Sequence, residues 1–464
     1  MVICKRCKLL DATLVSRKEP FCDECFVKFI SLKQRKQMMS DDYFQDIFKI
    51  SYPDKKRGQA EADKQNQDSN VLVPLSLGSS SLVVLDILND TLLEQKQTHR
   101  GKTGFQVEVI TICGQAEFEE VRGKIELLKS KYKENSDKIM FHIVDRNQFF
   151  AVPFDLQEIT LYTDNFNTLV KSSNNSSTTV EEVLASAPNK TSKEDLLNII
   201  YTHLIKKFAL QRNFKAILWG HSMTKLADEV ISLTVKGRGA EIAGYLDDSS
   251  LDSKYNTAFR NFHPGRDVLL SEIDAYCHIK GLSQFSHNYV VQDTLFYDKF
   301  VDKPTKNVKL IKNMTMNELA RQYFDNIEGD YSNVISTVVR TGAKLSNPDN
   351  ELNQIRHCSI CNAIIYKNPV NWLDGITVNK PYVIHNEEEL TNYNAWEAAN
   401  PGKAEKLSKT NDTPAKNVGV CYGCITTLTG MKDRKLEWIR RDDKAELTAV
   451  LQEYEISPDD SEHY

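Results

Sequence analysis

The sequence contains no apolar run near the ~18 residues needed for a membrane-crossing helix, so no transmembrane segment and no membrane partner are expected in its 464 residues. It also lacks the long apolar stretch of a secretory signal, because the first residues, MVICKRCKLL, run straight into a cysteine pair. Positive charge is not in excess: 59 Lys and Arg face 64 Asp and Glu, for a formal net charge of −5. A nucleic-acid surface must therefore be a local patch and not a global field. Isolated cysteines are scarce too. Of ten cysteines, only Cys113 and Cys277 stand alone. Clustered thiols without a secretion signal point to a reducing, cytoplasmic setting, where such clusters hold metal more often than they form disulfides.

The other eight cysteines form four CxxC pairs: Cys4/Cys7, Cys22/Cys25, Cys358/Cys361 and Cys421/Cys424. One CxxC turn can aim two thiolates at an ion, and two turns complete a tetrahedral Cys4 shell. Fourteen residues separate the first two pairs, which is zinc-ribbon spacing. A redox dithiol is the competing reading, but such motifs start a helix in a βαβ setting. The second two pairs stand 59 residues apart, yet each reads as a knuckle, and the glycine in Cys421-Tyr-Gly-Cys424 suits a tight turn. Two structural zinc sites are expected, with an iron–sulfur cluster as the alternative in either set.

Along the chain, residues 1–50 read as a zinc ribbon followed by a basic helix. Residues 1–36 carry nine Lys and Arg against four acids, so Lys28, Lys33, Arg35 and Lys36 are candidate phosphate contacts. The turn at Lys236 and Arg238 is the alternative surface, and a plain solvated helix face is the bland reading. Residues 51–70 are polar and read as a mobile linker. From 71 to 345, apolar strand-like runs (SNVLVPLSL, FQVEVITIC, KIMFHIVD, FKAILWG) alternate with stretches of helical periodicity. That alternation predicts an α/β fold with a doubly wound parallel sheet, which binds ligands at the carboxyl ends of its strands. A second Cys4 module with an insertion at 367–417 is expected over 346–430, and an acidic C-terminal tail over 431–464.

The first strand–helix junction reads Ser76-Leu77-Gly78-Ser79-Ser80-Ser81. A small-residue loop opening a helix presents backbone N–H groups and the positive dipole end to an anion. Capping serines in an ordinary turn would look similar. The segment resembles the pyrophosphate loop, SGGxDS, of the ATP-dependent PP-loop (adenine nucleotide hydrolase-like) proteins. Ser76, Gly78 and Ser81 match as cofactor-binding positions, whereas Leu77 replaces a glycine and Ser80 the aspartate. A second segment, Trp219-Gly220-His221 through Glu229, is similar to TGHNxDDxAE, with Thr224-Lys225 where the acidic pair belongs. His263-Pro264-Gly265-Arg266-Asp267 is similar to the family's RPLRD-like stretch.

Taken with the ribbon segment SRKEPFCDECFVKFISLKQRKQMM and the closing CYGC, these motifs resemble the cytoplasmic tRNA 2-thiolation protein 2 family. The resemblance implies a heterodimer with a catalytic thiolase paralogue, acting on the wobble uridine of tRNAs for lysine, glutamate and glutamine. The implied sulfur donor is a thiocarboxylated ubiquitin-related modifier. The altered loop, the missing acidic pair and the lack of a cysteine pair in APNKTSKEDLL imply a non-catalytic or weakly catalytic subunit with no catalytic residue assigned, in which ATP binding is doubtful. Two alternatives stand beside it: an active ATP-dependent tRNA sulfurtransferase, and a zinc-ribbon RNA-binding scaffold. Cys113 ends a strand and could approach the site, while Cys277 lies in an apolar helical stretch and reads as core.

Overall fold

A computed structural model describes residues 2–53, 58–151, 156–162, 167–172, 178–252, 254–255, 258–300, 313–352, 355–369, 372–373, 384–399, 419–431 and 435–440. The chain opens with a hairpin of β1 (Leu14–Ser16) and β2 (Glu19–Phe21). Arg17 and Lys18 make its two-residue turn, both at positive φ (50° and 65°), as a tight primed turn demands. Helix α1 (Asp23–Met38) follows and buries Phe26, Ile30, Gln34 and Met38, one face at i, i+4 spacing. Helix α2 (Asp42–Phe48) is capped by Asp41, whose carboxylate accepts from the Phe44 N–H at 2.9 Å.

The ribbon, α1 and α2 share one hydrophobic core with the α/β sheet. A buried carboxylate helps hold them there: Glu272 accepts from Ser16 Oγ (2.8 Å), Arg17 (2.8 and 3.0 Å) and Lys33 (3.2 Å).

The stretch read as a mobile linker contains helix α3 (Gln59–Asp68). Only Ala62 is buried, so hydrophobic periodicity could not reveal it. Polar contacts hold the helix instead: Asn66 pairs with the Ser51 backbone at 2.8 and 3.0 Å, and Asp63 with Lys102 at 3.3 Å.

The central sheet has five parallel strands: β3 (Asn70–Pro74), β4 (Gln106–Cys113), β5 (Ile139–Asp145), β8 (Ala216–Leu218) and β9 (Arg260–Phe262). Their order is β5-β4-β3-β8-β9. Alternation along β3 explains its burial on both faces. Val71 and Val73 join α4 (Ser79–Thr98) and α10 (Leu270–Ile279) in the main core, while Leu72 faces α7 (Lys190–Gln211), packing with Ile205 and Ala209. Helix α5 (Phe118–Lys131) joins β4 to β5. The chain leaves β3 first toward β4 and later returns on its other side at β8, so the strand order reverses between β3 and β8. The crevice outside their carboxyl ends is where such sheets bind ligands.

A second, antiparallel sheet orders β10-β6-β7, from β6 (Leu156–Tyr162), β7 (Asn167–Ser172) and β10 (Lys435–Ile439). Residues read as a tail thus supply a strand, with Trp438 fully buried; 441–464 lie outside the described residues. The second core combines this sheet, α6 (Val180–Ser186), part of α7 and the second cysteine set. Helices α8 (Met223–Val235), α9 (Ile242–Leu246) and α11 (Met316–Gly342) pack together in a third cluster. The one-or-two-helix segment before the second cysteine set is α11, broken at Tyr331 (φ −130°, ψ 47°). Of the 367–417 insertion, a helix spans Glu387–Ala399, and 370–371, 374–383 and 400–417 lie outside the described residues. No described helix is long and apolar enough to cross a membrane.

Candidate metal centres and nucleotide loop

Both cysteine quartets close in space, with the four Sγ atoms of each within 4.8 Å of one another. Cys7 and Cys22 stand 3.8 Å apart, and Cys361 and Cys421 3.6 Å. Bonds of about 2.3 Å to one tetrahedral ion put sulfurs about 3.8 Å apart, so each donor set fits a single ion. Cys22 caps α1 and Cys25 lies in its first turn. In the second set the Cys421 N–H donates to Cys358 Sγ at 3.3 Å, and Cys421 caps the helix Tyr422–Leu428. The 59-residue separation is harmless because Ser359 N and Gly419 O meet at 2.9 Å, bringing the knuckles together.

At the crevice, Gly78 caps α4 without any side-chain cap. Ser76 Oγ and Ser81 Oγ lie 3.2 Å apart, and Ser81 Oγ donates to Gly78 O at 3.0 Å. The sequence-predicted trio Ser76, Gly78 and Ser81 is therefore brought together. Leu77 adopts φ +57°, the left-handed region that a glycine takes without strain. Its side chain is 1% exposed and packs in the main core. Gly220 explains how the two PP-loop-like segments meet, because a Cβ there would lie 2.6 Å from Ser81 Cα. Gly265 likewise sits where a Cβ would be 2.9 Å from the His221 carbonyl oxygen.

The residues standing in for the acidic pair are turned to structural use. Thr224 Oγ1 accepts from the Leu270 N–H (3.0 Å) and meets Glu328 (3.3 Å), while Lys225 pairs with Glu229 at 2.5 Å. His221 stacks on Trp219 and His263 (5.8 and 5.5 Å between centroids) and meets the Tyr245 hydroxyl at 3.1 Å. Burial pushes its imidazole well below the usual range, leaving it neutral. Behind it, Asp228 pairs with Arg321, yet burial raises its carboxyl to about 6.

Cys113 ends β4 at 2% exposure, and burial, followed by Glu117 and Asp145, pushes its thiol up. The Arg146 guanidinium lies over the next residue, 2.6 Å from where a Gly114 Cβ would be. Cys277 is fully buried in the core, and burial pushes it up to about 12.

Two expectations about basic residues need correction. Lys33 is an interior group: it pairs with Glu272, donates to Asp267 O at 3.2 Å and lies 4.3 Å over the Phe29 ring. Arg35 is tied to Glu94. Lys28 and Lys36 are exposed on the opposite face, eight residues apart. Nor are Lys236 and Arg238 a free surface, since both pair with buried Asp195, at 2.9 and 2.8 Å. Sequence reasoning missed this network because Asp195 lies 41 residues before its first partner. The glycines flanking Arg238 were the available signal.

These features define an α/β protein with a parallel sheet, a serine–glycine loop at its switch point and two cysteine quartets that could each hold a metal ion. The family described as Cytoplasmic tRNA 2-thiolation protein 2 matches residues 315–426. Proteins of that name are similar to this chain over its whole length. The one from Kluyveromyces lactis is 96% identical, covering 100% of both chains. That from Vanderwaltozyma polyspora is 47% identical, covering 98% and 97%, and that from Saccharomyces cerevisiae S288c 38%, covering 99% and 100%. The chain belongs to the cytoplasmic tRNA 2-thiolation protein 2 family, in keeping with the cytoplasmic setting expected from its cysteines. Among solved structures, it is similar to the U34-tRNA thiolase NcsA from Methanococcus maripaludis with its [4Fe-4S] cluster, at 14% identity and TM-score 0.47, covering 76% of this chain and 92% of that one.

Proposed function

We propose that this chain is a non-catalytic or weakly catalytic subunit of the cytosolic tRNA thiolation complex, binding tRNA and a catalytic PP-loop thiolase paralogue. The complex would 2-thiolate the wobble uridine of tRNA-Lys, tRNA-Glu and tRNA-Gln, with sulfur from a thiocarboxylated ubiquitin-related modifier. The observation that carries this reading is the loop itself. A buried leucine holds a left-handed position proper to glycine, Ser80 stands where the aspartate that would contact magnesium belongs, and Thr224 and Lys225 are committed to internal bonds. Burial of Cys113 argues against its carrying sulfur, which disfavours the active-enzyme alternative. The test is thiouridine formation on purified tRNA, with ATP and sulfur donor, by this chain alone, by the paralogue alone and by both. Activity that depends on the paralogue supports the reading; robust turnover by this chain alone refutes it.

Zinc is the metal proposed for both quartets. In a [4Fe-4S] cluster the four thiolates bind four irons, and in a [2Fe-2S] cluster two bind each of two irons, so some sulfurs spread beyond a single ion's shell, whereas here all four sulfurs of each set lie within 4.8 Å of one another. Such an ion supplies rigid cross-linking of the two knuckles and no redox chemistry. For tRNA, the exposed Lys28 and Lys36 remain the proposed contacts on α1.

A further inference from the structure

The turn after α8 and the last knuckle interlock through reciprocal glycines. Gly237 has φ +73°, and a Cβ on it would lie 2.6 Å from the Tyr422 ring. A Cβ on Gly423 would lie 2.4 Å from Cγ of Arg238. Each turn is thus bare where the other's side chain passes. Thr426 Oγ1 donates to the Lys236 carbonyl at 3.0 Å and closes the contact.

This fit delivers a guanidinium to a sulfur. Arg238, 5% exposed, donates through Nη2 to Cys424 Sγ at 3.4 Å and to Thr427 Oγ1 at 3.2 Å. Its Nε donates to Asp195 Oδ2 at 2.9 Å and its Nη1 to Glu241 at 3.2 Å. Thr427 Oγ1 donates to the same Asp195 oxygen at 2.7 Å, so the arginine's anchor is itself held by the knuckle helix.

We propose that Arg238 is an outer-shell residue of the second cysteine centre, orienting the Cys424 thiolate and setting how firmly the centre keeps its metal. The inference rests on the reading that this quartet holds a divalent ion. Four thiolates around such an ion carry a net charge of −2, costly to bury unless hydrogen-bonded and compensated. The surrounding cluster offsets half of this charge: Lys236, Arg238 and Lys254 face Asp195 and Glu241, an excess of one positive charge. An N–H from a charged donor to a thiolate sulfur is a strong bond of its kind and steadies one ligand. Among the described residues, no arginine or lysine side chain donates to a sulfur of the N-terminal quartet, which makes that centre an internal control.

The test uses the full chain and follows zinc release to a chromophoric chelator in wild type, Arg238→Gln, Arg238→Lys and Gly423→Ala. Loss of an outer-shell partner typically costs 10–100-fold in metal affinity. In Arg238→Gln, one of two zincs should therefore leave about 10–100-fold faster, with the other unchanged. Arg238→Lys, which keeps the charge but loses the fork, should fall between. Gly423→Ala, which displaces the arginine stem and alters no charge, should show the same selective loss, and it decides the matter if Arg238→Gln fails to fold. With cobalt(II) in place of zinc, the thiolate-to-metal charge-transfer band of one site should shift in Arg238→Gln. Unchanged release in both Arg238→Gln and Gly423→Ala overturns the proposal. So does equal acceleration of both zincs with a lowered melting temperature, the result expected of a merely structural ion pair. Wild-type protein retaining no ion at this quartet would instead overturn the metal reading beneath it.

Discussion

Replacing Leu77 by glycine and, separately, by alanine isolates the cost of its left-handed backbone. Left-handed φ costs an L-residue about 1–2 kcal/mol, while truncating a fully buried leucine costs about 2–5 kcal/mol. With φ at +57° and the side chain 1% exposed, burial outweighs strain, so leucine should be the most stable of the three. The informative comparison is between the two truncations. At an ordinary site alanine beats glycine by about 0.5–1 kcal/mol through unfolded-state entropy. Here alanine keeps the strain and glycine releases it, so Leu77→Gly should exceed Leu77→Ala by about 0.5–1 kcal/mol. Chemical denaturation of the two zinc-loaded variants under identical conditions reads this difference. Alanine equal to or above glycine would refute the argument from strain. Neither variant should gain ATP-dependent thiolation, because the glycine restores backbone freedom but leaves Ser80, Thr224 and Lys225 in place.

Three further outcomes are expected. Elemental analysis should find about two zinc ions per chain, and their removal by chelator should unfold the ribbon and the second core, monitored by circular dichroism, since binding free energy at such sites is folding free energy. Replacing both Lys28 and Lys36 with glutamine should lower the salt slope of tRNA binding by ~0.7–0.9 per lost contact; Lys33→Gln should instead destabilise the fold through Glu272, so a binding defect at unchanged stability would overturn Lys33's internal role. Asp274, buried beside Tyr289 Oη at 2.6 Å, has its carboxyl raised to about 6 by burial. Between pH 4 and 6 the folded state therefore binds more protons than the unfolded, and stability falls as pH rises. Asp274→Asn should accordingly gain on wild type from pH 4.5 to 7.5 in thermal melts, and a constant difference across that range would count against the raised pKa.

Much of this protein was legible in one dimension wherever a single local period or spacing carried the signal. The strands at 70–74, 106–113 and 139–145 announce themselves by apolar runs, and the helices between them by period. The cysteine pairs gave both quartets, since ligand chemistry is written in residue type and short spacing. Where order rests on contacts between distant residues, local pattern was silent. Helix α3 is held by polar contacts and reads as linker; β10 is an edge strand completed by a hairpin more than 270 residues earlier. The same physics divided the basic residues. Lys28 and Lys33 look alike in sequence, but α1 turns one to solvent and the other onto Glu272, 239 residues away. Composition and spacing fixed which atoms could bind metal. Only packing decided that Arg238 reaches one of those sulfurs, and that Leu77 occupies a backbone conformation its own side chain disfavours, because both depend on what long-range burial makes affordable.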